Sequence, residues 1–283
     1  MSESIDGALK PKLRGSDFAK VISRSLYLQA LFTAERQQGP GFGFAFLPVI
    51  RRLYVGGDMR GRALGRHLGF FGTHPVLVGY VLGVVARLEE RRALGGPVEE
   101  AQAGEARAEE VKRALASALA ALGDPLFWVT LRPLAGLIGI LGMTLLPLAD
   151  PSGPDLRVLA CPLFTLLTYN AVAWPFRIAG VPRGYALADD PGKLLRSLRL
   201  AAWRRVLEQA GAFAFGALVA LALAAMRESV DPLGRGPAHV ATVLAPFLLG
   251  LVGAAAGMKR WPGRGVEIAL AATLLALLAS IRV

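Results

Sequence analysis

The feature that most constrains this chain is its division into apolar blocks, long enough to cross a bilayer, with basic segments between them. Four blocks in the C-terminal half, at 158–176, 207–226, 239–258 and 266–281, contain almost no charged residues. A helix needs about 20 apolar residues to cross a hydrocarbon core roughly 30 Å thick. Charged residues make up only 19% of the 283, against about 25% in a soluble domain. The pattern predicts an all-α, polytopic membrane protein with about four C-terminal transmembrane helices.

The net charge of +11 does not indicate nucleic acid as a partner. A nucleic-acid interface places basic residues on one solvated face with aromatic residues between them, whereas here they lie between apolar blocks, as the positive-inside rule describes. The segments 177–208 and 259–265 are basic, and 227–238 is balanced. We therefore expect the two basic segments in the cytoplasm and the C-terminus outside. The charged segment 87–113 is expected to be a solvated, helical, cytoplasmic loop.

The N-terminal part has an amphipathic rather than a spanning pattern. Gly15–Asp17 offers a helix N-cap, and apolar residues follow at near-helical spacing up to Phe32, with Lys20 and Arg24 among them. Such a helix lies either in the membrane interface or on the protein's own surface. The next apolar run, 41–54, is too short to cross a bilayer, and 68–86 is just long enough but is interrupted at Gly72–Pro75.

Residues 114–149 are apolar but interrupted at Gly123–Pro125 and again at Arg132–Pro133. We interpret them as a discontinuous or re-entrant helical hairpin, because irregular backbone at membrane depth is tolerated only beside protein or a water-lined cavity. Broken helices are also where transporters commonly bind substrate. The predicted organisation is a first part, 1–113, with interfacial and first membrane segments, and a transmembrane bundle, 114–283, with the broken helix at 123–133.

Asp124 is the most informative candidate residue, because a carboxylate facing lipid at mid-depth costs roughly 2.5–3.5 kcal/mol. It serves either as a helix cap or as a ligand site, and one side chain can do both. Trp128 follows one helical turn later, and a carboxylate beside an aromatic face suits a sugar. An interfacial aromatic belt explains Trp128 equally well. Arg132 either balances Asp124 or extends to a headgroup.

Other polar candidates carry weaker signals. Glu35 and Arg36 follow the amphipathic segment and are candidates for a polar entrance. His67 and His74 flank an apolar segment but lack a third ligand at helical spacing, so no metal site is expected. Cys161 is the only cysteine, which rules out a cysteine cluster. The sequence contains no Walker loop, nucleophile elbow or dinucleotide fingerprint, and therefore no cofactor and no self-sufficient enzyme is predicted.

Several short motifs in one order resemble a known family, the D subunit (IID) of the mannose/fructose/sorbose family of the bacterial sugar phosphotransferase system. The motifs that carry the resemblance are Ala34–Gln38, Pro48–Tyr54, Arg66–Leu68 with Phe70–Phe71, Thr73–Pro75, Leu88–Glu90, and Gly123–Trp128 with Arg132–Pro133. The resemblance covers most of the chain and is most specific from Ser16 to Gly142.

The resemblance implies a subunit of a sugar permease in the bacterial inner membrane. It would form the hexose translocation path with a membrane C subunit (IIC), in an assembly with more than one copy of the C/D pair. A cytoplasmic A/B protein would phosphorylate the sugar, so the phosphoryl chemistry would lie outside this chain. The residues that the resemblance and the residue analysis together place on the sugar path are Asp124, Trp128, Glu35, Arg36, His67, Thr73 and His74.

The sequence departs from the family pattern at three places. Thr33-Ala34 stands where the family commonly has Asn-Phe, and Gly72 stands where Phe-Phe-Asn-Thr has its Asn. A Gly-Pro-Leu-Ala-Gly run is replaced by Ser117–Ala121. Two side-chain amides that could hydrogen-bond a sugar are thereby lost. These losses motivate an alternative, a divergent membrane scaffold or sensor that binds phosphotransferase partners without moving sugar.

Overall fold

This computed structural model describes residues 12–94, 98–146 and 157–230, whose regular secondary structure is helical. In these residues β-structure is limited to two isolated bridges, Thr33 with Gln37 and Gln37 with Phe71. The predicted all-α class is confirmed. The helices are α1 (Gly15–Ser25), α2 (Gly39–Leu53), α3 (Gly57–Gly65), α4 (Val78–Ala93), α5 (Val98–Asp124), a π-helix (Pro125–Leu131), α6 (Arg132–Leu145), α7 (Arg157–Ala186), α8 (Pro191–Ser197) and α9 (Leu200–Val230).

Three helical segments of the described chain are long and apolar enough to cross a membrane: Arg107–Leu145, Val158–Ala186 and Pro191–Ala222. The predicted spans at 158–176 and 207–226 are confirmed, as parts of longer helices. The other two predicted spans, the basic segment 259–265 and the C-terminus lie outside the described residues.

The basic segment 177–208 was expected to be a loop, and this is wrong. Helix α7 continues to Ala186, and α8 and α9 occupy most of the remainder. Arginine and lysine are good helix formers, and their long apolar stems let the charged ends reach water from a helix. A basic composition thus marks the end of the hydrocarbon region without marking the end of the helix.

The interruption expected within 68–86 is present, because α4 begins only at Val78, after Gly72–Pro75, and residues 78–86 are all buried against protein. The expectation of a solvated segment at 87–113 is wrong in part. Residues 87–113 are not uniformly solvated, since Glu89 and Glu90 are buried. Both glutamates have polar partners within the protein, and these partners offset the free-energy cost of burying a charge.

The interruption predicted at 123–133 takes the form of a change in helix type. The residues from Val98 to Leu145 are helical with no loop between them, and Pro125–Leu131 within this segment forms a π-helix. Proline supplies no backbone N–H donor, and the Thr130 hydroxyl donates to the Pro125 carbonyl at 2.9 Å. Widened turns of this type occur often at functional sites.

The described residues form two compact units. The first contains the chain up to Asp124 together with Val172–Arg199. In it α1 packs on α2; Val21 of α1 and Leu28 in the turn after it are buried, whereas Phe32 of the same predicted stripe is exposed. The apolar stripe therefore divides, one part packing on the protein and one part facing outward.

Within this first unit, α4 and α7 cross at paired glycines. A Cβ atom on Gly79 would lie 3.2 Å from the Gly180 Cα, and one on Gly83 would lie 2.2 Å from the Val181 carbonyl oxygen. Each helix thus has a Gly-x-x-x-Gly face, Gly79 with Gly83 and Gly180 with Gly184. Small residues at this spacing let helix backbones approach closely.

The second unit contains the π-helix, α6, the first half of α7, and α9. Gly139 of α6 faces α7, because a Cβ there would lie 2.6 Å from the Cys161 carbonyl oxygen. Gly142 meets the Phe164 ring in the same way. Cys161 is a free thiol beside this contact, in agreement with a packing role.

Candidate functional site

A tight turn at Thr33–Gln38 holds two of the predicted site residues. The Thr33 and Gln37 backbones exchange two hydrogen bonds, of 3.0 and 2.8 Å, and Gln37 has a φ of +47°. Positive φ is uncommon for a residue with a Cβ and marks a backbone held by its surroundings. Glu35 and Arg36 lie in the closed turn and are both exposed.

The turn is fastened to the segment before α4. The Gln38 backbone N–H donates to the Phe71 carbonyl at 2.9 Å. The Gln38 carboxamide donates to the Thr73 carbonyl at 2.9 Å and accepts from the Thr73 N–H at 3.0 Å. All of these groups are buried, and losing one partner would leave the other unsatisfied. Gln38 therefore fixes Glu35 and Arg36 relative to Thr73.

One face of α5 packs against the same segment. The Thr73 hydroxyl donates to the Ala116 carbonyl at 3.0 Å, and a Cβ on Gly123 would lie 2.7 Å from the His74 Cβ. Lys112, Ala116, Leu119 and Gly123 recur at the spacing of one helical face. This face ends beside Asp124, the last residue of α5, which is exposed.

Lys112 is the first residue of that face and is 1% exposed. Its Nζ lies 4.9 Å from the Phe42 ring centre and 5.7 Å from that of Phe71, within the range of cation–π attraction. Glu109 Oε2 accepts from Nζ at 3.3 Å. The ammonium group thereby joins α5 to α2 and to the segment that Gln38 binds.

His67 is buried and lies away from the turn's exposed tip. Its Nε2 is 3.4 Å from Glu89 Oε2, a long donor distance, and its ring meets Phe46 edge-on at 4.5 Å. His67 therefore contacts residues of both α2 and α4 and supports their packing. In the described chain it does not belong to a group of three side chains that could bind a metal ion.

Glu89 is the centre of a charged cluster that the sequence analysis missed. Its Oε1 accepts from the Tyr54 hydroxyl at 2.5 Å and from the Arg66 guanidinium. Burial raises the pKa of the Glu89 carboxyl, but the neighbouring His67, donation from the Tyr54 hydroxyl and the charge of Arg66 outweigh burial and lower it to about 2. Burial lowers the pKa of His67, which is therefore neutral near pH 7.

Glu90, the next residue, binds a different set of partners. Its carboxylate accepts from the Leu13 backbone N–H at 2.8 Å, from Arg87 at 2.9 Å and from the Tyr185 hydroxyl. These bonds lower the pKa of Glu90 although its burial acts in the opposite direction. The N-terminal segment, α4 and α7 thus meet at one carboxylate, close to the glycine crossing.

The signal for these two glutamates was present in the sequence but was interpreted as a solvated face. Leu88–Glu90 was among the family motifs, as were the stretches that contain Tyr54 and Arg66. The Glu89 partners Tyr54 and Arg66 are 35 and 23 residues away along the chain, and Tyr185, a partner of Glu90, is 95 residues away, so no local pattern could predict these pairs.

The predicted site residues fall into two groups. Glu35, Arg36, Thr73, His74 and Asp124 all belong to the first unit, and the contacts of Gln38 and α5 link their segments. Trp128 belongs to the second unit, where the Arg132 guanidinium lies 5.3 Å from its ring centre. Arg132 therefore has a cation–π contact there.

The family model and the related proteins that match this chain all describe the same family. Residues 12–252 match the family model described as the PTS system mannose/fructose/sorbose family IID component. The chain is 34% identical to the PTS system mannose-specific EIID component of Escherichia coli O6:H1, over 77% of this chain and 72% of the relative. It is 34% identical to the sorbose-specific EIID component of Lacticaseibacillus casei, over 67% and 64%. It is 32% identical to the fructose permease IID component of Bacillus subtilis, over 74% and 70%.

Two solved structures are similar as well. One is the cryoEM structure of the mannose transporter ManYZ in complex with microcin E492, with 34% sequence identity and a TM-score of 0.55. The other is described as the structure of a membrane protein, with the same identity and a TM-score of 0.60. Each match covers 74% of this chain and 71% of the solved chain.

Proposed function

This chain belongs to the IID component family of the mannose/fructose/sorbose phosphotransferase systems, and from that membership we propose that it forms a sugar path with a membrane C subunit. The family match over residues 12–252 carries this proposal. The chain is a membrane subunit of a sugar permease, as its similarity to a mannose transporter structure also supports. The proposed substrate is a hexose, since the named relatives are specific for mannose, sorbose and fructose.

The contribution of this chain to sugar binding is proposed to come from the end of α5 and the turn beside the 71–74 segment. Asp124 lies within Arg107–Leu145, a helical segment long and apolar enough to cross a membrane, and Glu35 and Arg36 are exposed on a turn with fixed backbone. Carboxylates accept hydrogen bonds from sugar hydroxyls, and charge-assisted bonds are the stronger kind. Thr73 and His74 connect these two places and are proposed to position them.

His67 is proposed to act through the Glu89 cluster rather than by direct sugar contact, because it is buried between Phe46 and Glu89. Trp128 of the second unit remains a sugar contact predicted from sequence. The Arg132 guanidinium lies over its ring in the described structure, and an aromatic face of this kind can pack against the C–H face of a sugar.

The proposed chemistry leaves phosphoryl transfer to a cytoplasmic A/B protein. This chain then supplies binding surface, and docking surface on its cytoplasmic side, where the basic residues of 177–208 are proposed to lie. The proposed C-terminus is outside, and the proposed assembly contains several C/D pairs in the bacterial inner membrane.

The test is uptake of labelled hexoses by cells that express this chain, its C subunit and the A/B protein together. Omission of any one of the three should reduce accumulation of the phosphorylated sugar to background. Accumulation that persists without this chain would contradict the proposed role. A complex that assembles but neither binds nor accumulates any hexose would instead support the non-transporting scaffold.

A further inference from the structure

An exposed aromatic face surrounds the turn between α1 and α2 in the first unit. Tyr27, Phe32 and Phe70 are 61%, 54% and 60% exposed, although phenylalanine is among the residue types most often fully buried. Exposed apolar patches mark surfaces that bind a protein, a ligand or a membrane. The residues of the aromatic face are Leu26, Tyr27, Leu31, Phe32, Phe44 and Phe70.

The aromatic face is assembled from three segments of the chain. The Tyr27 ring meets the Phe44 ring of α2 edge-on, with their centres 6.3 Å apart. The Phe71 N–H donates to the Arg36 carbonyl at 3.3 Å, which holds Phe70 beside the turn. These contacts give the face a fixed backbone.

The charges next to the aromatic face are positive. Lys20 and Arg24 are the only charged residues between positions 18 and 34. The Arg24 guanidinium carbon lies 5.0 Å from the Phe44 ring centre, within the range of cation–π attraction. Basic residues beside exposed rings and leucines are typical of a segment that lies in the membrane interface.

The aromatic face lies at the level where α5 changes from charged to apolar. Six of the nine residues 105–113 are charged, and the ten residues that follow carry no charge. At this change Lys112 Nζ lies 5.7 Å from the Phe71 ring centre, and the Thr73 hydroxyl donates to the Ala116 carbonyl at 3.0 Å. In a helix long and apolar enough to cross a membrane, such a change marks the boundary between water and hydrocarbon, where aromatic residues are concentrated.

We propose that the aromatic face is inserted in the bilayer interface, with Lys20 and Arg24 bound to the headgroup phosphates of anionic phospholipids. A phospholipid layer supplies apolar chains to the rings and negative charge to the two cations at the same depth. The outward part of the amphipathic stripe thus contacts lipid, and its inward part packs on the protein. The turn that carries Glu35 and Arg36 is thereby held at the membrane surface.

The experiment measures the surroundings of the aromatic face with spin labels. Cys161 is the only native cysteine, so labels are attached to Tyr27→Cys, Phe32→Cys and Phe70→Cys, one at a time, in a Cys161→Ala background. The labelled chain is assembled with its C subunit in phosphatidylglycerol bilayers. Electron paramagnetic resonance then compares collisions of each label with O₂, which enters hydrocarbon, and with a nickel complex, which stays in water.

All three labels should collide more often with O₂ than with the nickel complex. Phospholipids that are spin-labelled at known carbon atoms convert this ratio into depth. Glu110→Cys is the control, because Glu110 is exposed in the charged part of α5, and its label should collide more often with the nickel complex.

The role of the cations is tested by Lys20→Gln together with Arg24→Gln in the chain labelled at Tyr27→Cys. The double substitution should increase collisions with the nickel complex in phosphatidylglycerol bilayers. It should have no such effect in phosphatidylcholine bilayers, whose headgroup has no net charge. Arg51→Gln with Arg62→Gln is the charge-matched control, since both arginines are exposed outside the aromatic face, and it should leave the collisions unchanged.

Labels on the aromatic face that collide with the nickel complex as often as the Glu110→Cys label show a face in water and overturn the proposal. Labels that collide with neither reagent show a face covered by the C subunit, which overturns it as well. An unchanged result after Lys20→Gln with Arg24→Gln overturns the binding of headgroups by these cations. Hexose uptake does not enter these measurements, so this proposal and the proposed function fail separately.

Discussion

The Tyr54 hydroxyl donates to Glu89 Oε1 at 2.5 Å, joining the residue after α2 to α4 inside the first unit. Arg66 binds the same oxygen, and His67 Nε2 approaches the other oxygen at 3.4 Å. One buried carboxylate therefore determines how three segments of the chain pack. Helix α2 begins directly after the turn at Thr33–Gln38 and ends beside Tyr54, so the Glu89 cluster holds the far end of the helix that follows the turn.

Replacing Glu89 with Gln should destabilise the protein by about 2–3 kcal/mol. Loss of one partner of a buried ion pair typically costs more, about 3–5 kcal/mol, but the Arg66 side chain is 22% exposed and water compensates in part. Denaturant unfolding of the purified protein in detergent measures the change. Asp189→Asn is the matched control, because the side chains of Arg91 and Asp189 are 45% and 69% exposed, and exposed pairs contribute little to stability.

The effect of Glu89→Gln should depend on pH in a defined direction. The pKa of Glu89 is lowered to about 2 from an ordinary value of 4.5, so the ionised cluster stabilises the fold fully above about pH 4.5. That contribution disappears as the pH falls towards 2. The difference in Tm between the original protein and Glu89→Gln should therefore shrink between about pH 5 and about pH 2.5. A difference that stays constant over this range contradicts the assignment.

Burial of neutral His67 adds a second acid-sensitive contribution. Because burial lowers its pKa below 6.5, protonation favours the unfolded chain as the pH falls below that value. Both proteins should therefore lose stability as the pH falls below about 6.5, and Glu89→Gln should lose no less than the original. His67→Gln should remove this part of the pH dependence while leaving the contribution below pH 4.5 in place.

The glycine crossing of α4 and α7 gives a prediction about packing. Gly83→Ala places a Cβ 2.2 Å from the Val181 carbonyl oxygen, and backbone cannot move aside as a side-chain end can. We expect destabilisation of about 1–3 kcal/mol or more, as for other overpacked sites. Gly61→Ala is the control, since nothing lies within 4 Å of its Cβ position in α3, and there alanine should stabilise the helix slightly. Equal Tm values for the two variants would contradict the close approach of the α4 and α7 backbones at Gly83.

The sequence predicted the membrane helices well, because their signal is local. A run such as 158–176 is apolar at every position, and a bilayer requires backbone hydrogen bonds to be satisfied within the segment. The ends of the helices were less predictable. Basic residues from Arg177 onward fit both a loop and a helix in water, and the structure has a helix there.

The sequence motifs suggested residues for the candidate site, which stay predictions, but did not indicate the residues that support them. Asp124, Glu35 and Thr73 were recognisable from motifs, whereas Gln38, Lys112 and Glu89 act through partners far away along the chain. A buried charge looks unfavourable in isolation and becomes favourable only when its partners are known.

The most direct measurement of the central claim, that this chain itself contributes to the sugar path, is hexose uptake by the complex carrying Asp124→Asn. Loss of the charge should reduce uptake at least about tenfold, the effect of a charge-assisted hydrogen bond, while the amount of complex in the membrane stays the same. Asp58→Asn, at an exposed position in the first turn of α3, should leave uptake unchanged. Full uptake of every hexose by Asp124→Asn would contradict the claim.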